Sequence, residues 1–279
     1  MLRVWPELKK EQLSEKCKMD ELLICDLMLM QTASYYRLAQ STERERSRLD
    51  LLDLFFTLQE KTKPDLSMEI GAFDATFSTE MKKRLPHLQA FAFEANPHVF
   101  EHFSKSDEIK NSGVEYLHMA ITGFTGNIEF LIRTDIASKV NAVSSLLSRP
   151  GPEPEPVLVP CTSLTDYLAK RHFDEEKFCA WIDVEGASKD VLIGAEATLN
   201  RCLSMFIEVE EYPYWSGQWL FWDVQRYLAT HGLIPVARDF EYPHQFNVLF
   251  IAQTLLHDIS VRHELARYYS KLGGSLEPG

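Results

Sequence analysis

The sequence predicts an α/β fold: a doubly wound, mostly parallel seven-stranded sheet with an antiparallel last strand, preceded by a helical segment. Three observations predict it. From residue 66 onward, short apolar runs alternate with helical patterns, as in a parallel sheet covered on both faces. The first run, "LSMEIG", ends in a single glycine, Gly71, before a helical pattern opens. The last two runs are joined by "EYPHQ", too short for a helical crossover, so those strands should pair antiparallel.

Residues 7–60 contain no proline or glycine, and Leu51, Leu52, Phe55, Phe56 and Leu58 fall at helical spacing, which predicts two or three helices. "KTKPD" (61–65) breaks that pattern. A strand over 66–71, a helix over 77–85 and a strand over 90–95 follow. The next helix, 96–109, is capped by Asn96 with Pro97 in its first turn. Residues 114–121 read as a third strand, 126–133 as part of a hairpin, and 148–160 as a proline-rich loop that cannot be helical. Then come a helix (164–171), a strand (178–185), a helix (189–201), a strand (203–210), a helix (220–231) and the two final strands (233–240 and 246–252). Three parts are expected: an accessory helical segment 1–62, an α/β domain 63–256 and a C-terminal helical tail 257–279. The first is expected to cover the site or to make a homodimer.

Of the 279 residues, 45% are apolar and 25% charged, an ordinary globular composition. A net charge of −12 disfavours nucleic acid and anionic membrane as partners. The stretch "LLICDLMLM" (22–30) lies too far in for a secretory signal and is far short of the roughly 20 residues that span a bilayer. Cys17, Cys25, Cys161, Cys179 and Cys202 are odd in number and form no CxxC pair, which points to reduced thiols and a cytoplasmic location.

Ligands of open α/β sheets bind at the carboxyl ends of the strands. Four predicted strands end in acids there: Glu69, Glu94, Asp183 with Glu185, and Glu208 with Glu210. A rim of that kind suits a cation, a polyol or a metal. Glu69 would repel the pyrophosphate of a dinucleotide, and the second and third loop glycines are missing. S-adenosylmethionine fits better, because it has no phosphate and carries an amino group and a sulfonium. Gly71 then gives the close approach, Glu69 offsets the positive charge, and Glu94 holds the ribose hydroxyls. The competing assignments are local: Glu69 paired with a lysine, Glu185 capping the next helix, Glu208 paired with Arg238. His118 would sit by the adenine or hydrogen-bond in the core.

With these residues placed, the chain resembles the FkbM-type class I S-adenosylmethionine-dependent methyltransferases, whose fold is Rossmann-like, over about residues 66–252. "MEIGAFDATFS", "AFAFEANP", "HMAITGFTGNIEF" and "VPCTSLTDYL" are similar to that family's successive segments, and "IDVEGASKDVLIGA" (182–195) is the most specific match. The resemblance implies a cofactor held by Glu69, Gly71, Ala72, Phe73, Ser78, Glu94, Ala95, Asn96, Ala120 and Asp183. It implies methyl transfer to a hydroxyl of a small-molecule acceptor such as a sugar or secondary metabolite. Ala75, Trp181 and Ser188 depart from the usual glycine, lysine and glutamate.

Asp183 is the candidate base or metal ligand, with Glu185 and Glu208 as supporting acids and a divalent cation such as Mg²⁺ as the alternative means of activating the hydroxyl. "EYPYWSGQWLFWD" (211–223) is dense in aromatics. Tyr212, Tyr214 and Trp215 are the expected acceptor pocket, His244 a further contact, and Trp222 a core residue. A nicotinamide-dependent oxidoreductase and a catalytically silent binding module are the competing functions, and amide nitrogen and carboxylate remain open as methyl acceptors beside the hydroxyl.

Overall fold

The computed structural model describes residues 41–273. The helices expected before residue 41, and with them part of the expected dimer contact, lie outside the described residues, as do Cys17 and Cys25. A seven-stranded sheet forms the centre. Its strands are β1 (Leu66–Ile70), β2 (Gln89–Glu94), β3 (Val114–His118), β7 (Phe178–Ile182), β8 (Cys202–Glu210), β9 (Leu233–Arg238) and β10 (Gln245–Ala252). Their spatial order is β3-β2-β1-β7-β8-β10-β9, parallel throughout except for β10, which runs antiparallel to both neighbours. The short connection between the last two strands thus pairs them as expected. The chain reverses direction across the sheet between β1 and β7, and the carboxyl ends of those two strands meet there.

The sheet is covered on both faces because its strands are apolar on both. Met68, Ile70, Ala180, Ile182 and Ile207 pack with Leu192, Val224 and Leu228 on one side. Those helical residues belong to α6 (Ser188–Gly194) and α7 (Phe221–Thr230). On the other side Cys179, Phe206, Leu249 and Ile251 pack against α1 (Ser41–Thr62). Leu51, Leu54, Phe55 and Leu58 recur at the i, i+3, i+4, i+7 spacing of one helix face and are buried. Gln59 of α1 accepts a hydrogen bond from the Ser204 hydroxyl of β8 at 2.9 Å. The boundary expected at residue 62 therefore runs between a helix and a strand that share one core. Helix α8 (Ile259–Gly273), expected as a tail, joins the same cluster through Val261, Leu265 and Tyr268.

Several elements differ from expectation, each for a local reason. The expected strand 114–121 breaks at Met119. β2 ends at Glu94, so the chain leaves β2 and the next piece, β4 (Ala120–Ile121), pairs with β6 (Glu155–Thr162) instead. β6 occupies half of the expected proline-rich loop and pairs antiparallel with β5 (Gly126–Ile132). Until Cys161 it has a neighbour on one side only, an edge-like setting that tolerates Pro156 and Pro160. The expected helix 96–109 is two short ones, α3 (Pro97–Phe103), capped by Asn96, and α4 (Asp107–Ser112), capped by Ser106. The helix 189–201 turns 3₁₀ after Gly194, over Glu196–Arg201. The remaining helices are α2 (Thr76–Arg84) and α5 (Leu164–Lys170).

Because α1 supplies core, Phe55→Ala should destabilise the whole protein by about 3–5 kcal/mol. A single urea transition moved to lower midpoint is the expected outcome, although Phe55 lies on the opposite face of the sheet from α6 and α7.

Candidate active site

The loop after β1 is shaped by contact with β7. The Asp183 N–H donates to the Ile70 carbonyl at 2.9 Å, so the two strand ends are tied. Gly71 has φ +81, and a Cβ there would lie 1.8 Å from the Asp183 carbonyl oxygen. Sequence reasoning assigned this glycine to the approach of a ligand; what demands it is the protein's own backbone. The amides of Gly71 and Ala72 both donate to the Phe93 carbonyl at 3.0 Å. Phe73 and Ala75 are also left-handed (φ 45 and 56), so the loop is held in a conformation that side chains disfavour.

Glu94 explains how it is held. Its carboxylate accepts from the Phe73 amide at 2.8 Å and from the Asn96 amide at 2.6 Å, one on each oxygen. The Tyr116 hydroxyl donates to the Phe73 carbonyl from the next strand. Burial raises the Glu94 pKa to about 7 despite these bonds. Each carboxylate oxygen keeps a second lone pair, available to a hydroxyl in the cleft.

A cleft opens over these strand ends. Gly71, Phe73, Glu94, Ala95, Asn96, Ala120 and Asp183, all among the expected cofactor residues, line it together with Glu185. Ala72 is buried behind the loop and does not line it. Neither do Glu69 and Ser78: the Glu69 carboxylate is buried beneath α2 and accepts from the Ser78 amide at 2.8 Å. The N-cap residue of α2, Ala75, makes no side-chain cap, so Glu69 supplies from the strand below the acceptor that the helix end lacks. Burial, the largest influence, raises its pKa to about 8. The far wall of the cleft joins Phe130 of β5 to Asn141, Ser144 and Leu146, and these last three went unseen in the sequence because 134–147 has no periodicity to place them.

Behind the cleft the acids converge. Asp183, Glu185 and Glu208 each present an oxygen within 4.8 Å of the others. Arg238 does not reach Glu208; it pairs with Glu211 at 3.4 Å. Glu185 is not the helix cap: the N-cap of α6 is Ala187, and it makes no side-chain cap. Its carbonyl instead accepts from the Ser145 hydroxyl at 2.7 Å, with φ 49 at Glu185 itself. Desolvation is the leading cause of every shift here. It raises Asp183 and Glu208, whose side chains contact each other, and lifts Glu185 to about 8 and Glu210 to about 7. Gln218 donates to Glu210 at 3.1 Å.

The expected acceptor residues part company. Tyr212 and Tyr214 stand exposed on the rim, and the His244 ring lies 5.5 Å from Tyr212. Trp215 is buried instead, with its indole over Gly186 (φ +83), where a Cβ would meet the ring at 2.4 Å. Trp222, expected in the core, is 55% exposed. His118 is half-buried, with Nε2 3.2 Å from the Ala95 carbonyl and its ring stacked on Phe100. Trp181 faces away from α6 and stacks on Phe206, with centroids 4.2 Å apart.

Two measurements check this geometry. Gly71→Ala should cost about 3 kcal/mol or more, from left-handed strain and collision together. Gly217→Ala, at φ +77 with nothing within 4 Å, should cost only the strain, about 1–2 kcal/mol. Denaturant titration compares the two. The carboxyls with raised folded pKa values favour the protein most when protonated, and that stability is lost as pH rises through about 7 to about 8. The melting temperature of the ligand-free protein should therefore fall between about pH 5 and about pH 8.

Among solved structures, the chain is similar to a precorrin-6y C5,15-methyltransferase from Geobacter metallireducens (14% identity, covering 71% of this chain and 86% of that one, TM-score 0.36). It is also similar to a magnesium protoporphyrin IX methyltransferase from Synechocystis with bound S-adenosylmethionine (8% identity, 78% and 87% covered, TM-score 0.41). A third is a methyltransferase from Aquifex aeolicus (12% identity, 77% and 99% covered, TM-score 0.40). A search of curated proteins returns no significant match. Identities this low leave the assignment to the sequence family: the FkbM methyltransferase domain matches residues 68–242, from the middle of β1 into the loop after β9. That span takes in Glu94, Asp183, Glu185 and Glu208, and it decides against the oxidoreductase reading. The chain belongs to the FkbM methyltransferase family.

Proposed function

We propose that the protein transfers the methyl group of S-adenosylmethionine to a hydroxyl of a small molecule, such as a sugar or secondary metabolite. The observation that carries this reading is the convergence of Asp183, Glu185 and Glu208 beside a cleft whose other end holds Glu94. Bound S-adenosylmethionine supplies a methyl group on a sulfonium, already a strong electrophile. Glu94, fixed by the Phe73 and Asn96 amides, has lone pairs left for the ribose hydroxyls. Alignment contributes a large part of the rate, since well-oriented reactions reach effective molarities of about 10⁵–10⁸ M.

The hydroxyl must lose its proton as the oxygen–carbon bond forms and the carbon–sulfur bond breaks. Asp183 receives that proton, with Glu208 in contact to share it. Their raised pKa values make the pair a better base than an exposed carboxylate, which binds protons too weakly at neutral pH. The three carboxylates also form a hard-oxygen donor set of the kind that suits Mg²⁺. Such an ion, held by Asp183, Glu185 and Glu208, would lower the pKa of a hydroxyl beside it.

Asp183→Asn should reduce turnover by about 10²–10⁴-fold, while S-adenosylhomocysteine binds as before in calorimetry. Turnover equal to that of the native protein would remove Asp183 from the role. Loss of activity in EDTA, restored by Mg²⁺, separates the metal-assisted form from the purely acid–base one; a rate indifferent to both discards the metal.

A further inference from the structure

Beside the cleft lies a second cavity, whose lining includes Leu131, Arg133, Asp135, Arg149, Pro150 and Trp215. The Arg149 guanidinium rests over the buried Trp215 ring, 5.0 Å from its centroid. Trp215 in turn packs on Gly186, the residue after Glu185, so the cavity and the acid cluster share a wall. Arg133 is tied to Asp135, with Nε donating at 2.8 Å. Among the described residues no carboxylate forms an ion pair with Arg149, although its charge is felt at Glu185 and at Asp135, whose own partner is Arg133. It is a stacked cation whose donor fork is open.

The chain around it is stiff. Pro150, Pro152 and Pro154 restrict φ along the segment after Arg149, which bends at residues 150–152 before β6 begins at Glu155. The Ser216 amide donates to the Ser148 carbonyl at 2.8 Å, fastening this loop to the one that carries Trp215. A side chain on such a loop loses little freedom when it meets a ligand. A planar fork on an aromatic shelf is suited to gripping a carboxylate or phosphate. A net charge of −12 and four acids nearby make an anion unwelcome elsewhere on this rim.

We propose that this cavity is an anion subsite for the methyl acceptor. Arg149, laid on Trp215, receives a carboxylate or phosphate group of the same molecule whose hydroxyl reaches Asp183 and Glu208. The acceptor is then an acidic hydroxy compound rather than a neutral one. This rests on the methyl-transfer reading above.

The test uses the full chain, isotope-labelled on arginine and saturated with S-adenosylhomocysteine. Sodium acetate and inorganic phosphate are titrated separately at constant ionic strength. The readout is the Arg149 Nε–H resonance, identified by its loss in Arg149→Met. At least one anion should shift it saturably, half-saturating at about tenfold lower concentration than at exposed Arg226, and Arg149→Lys, which lacks the fork, should weaken the effect about tenfold. Saturation by acetate alone indicates a carboxylate acceptor, and by phosphate alone a phosphorylated one. Non-saturating shifts with both anions, matching those at Arg226, overturn the subsite. Calorimetry on the same protein keeps the two readings apart. Failure to bind S-adenosylhomocysteine sinks methyl transfer, whereas normal binding with an indifferent Arg149 sinks only the subsite.

Discussion

The contact between Gly71 and the Asp183 carbonyl is the constraint on which the site depends. It brings the end of β1 against the end of β7, and the tie from the Asp183 amide to Ile70 fixes their register. Everything the cleft uses follows from that closure. The loop after β1 must turn sharply, and does so through alternating left-handed residues. Phe73 is thereby delivered to Glu94, and the Asp183 side chain is delivered to Glu208 on the neighbouring strand. A larger residue at position 71 would part the two strand ends and with them the two halves of the cleft.

Charge is the second organising force. Glu69, Glu94, Asp183, Glu185, Glu208 and Glu210 gather at one edge of the sheet, and burial raises all of them. Such a gathering is unfavourable in the empty protein, and it becomes favourable when positive charge arrives. The backbone takes up part of the burden, through the α2 amide at Glu69 and two loop amides at Glu94. Asp183, Glu185 and Glu208 have less backbone support. Among the described residues, the cations whose charge reaches Glu185 are Arg133 and Arg149.

How much of this was legible in the sequence depends on how local the cause was. Strand–helix alternation, the Asn96 cap and the antiparallel final pair are short-range effects, and the structure has them. The acids at the strand ends were legible too, because a carboxylate after an apolar run is conspicuous. Their individual tasks were not. Glu69 and Glu94 look alike in one dimension, but Glu69 points under α2 and Glu94 into the cleft. The alternative that paired Glu208 with Arg238 is not realised: Arg238 pairs with Glu211, and Glu208 lies with Asp183 and Glu185. Trp215 and Trp222 exchanged the exposures expected of them, because the loop turns Trp215 onto Gly186.

By itself, the sequence determined the sheet, its order of helices, the family and the set of acids, because each is written in periodicity, composition or a contiguous motif. Only tertiary structure decided that α1 belongs to the core, that residues 120–162 build a second small sheet over the site, and which carboxylates face the same space. Those outcomes rest on contacts between residues far apart in the chain, where burial and mutual charge are set by packing that no local pattern encodes.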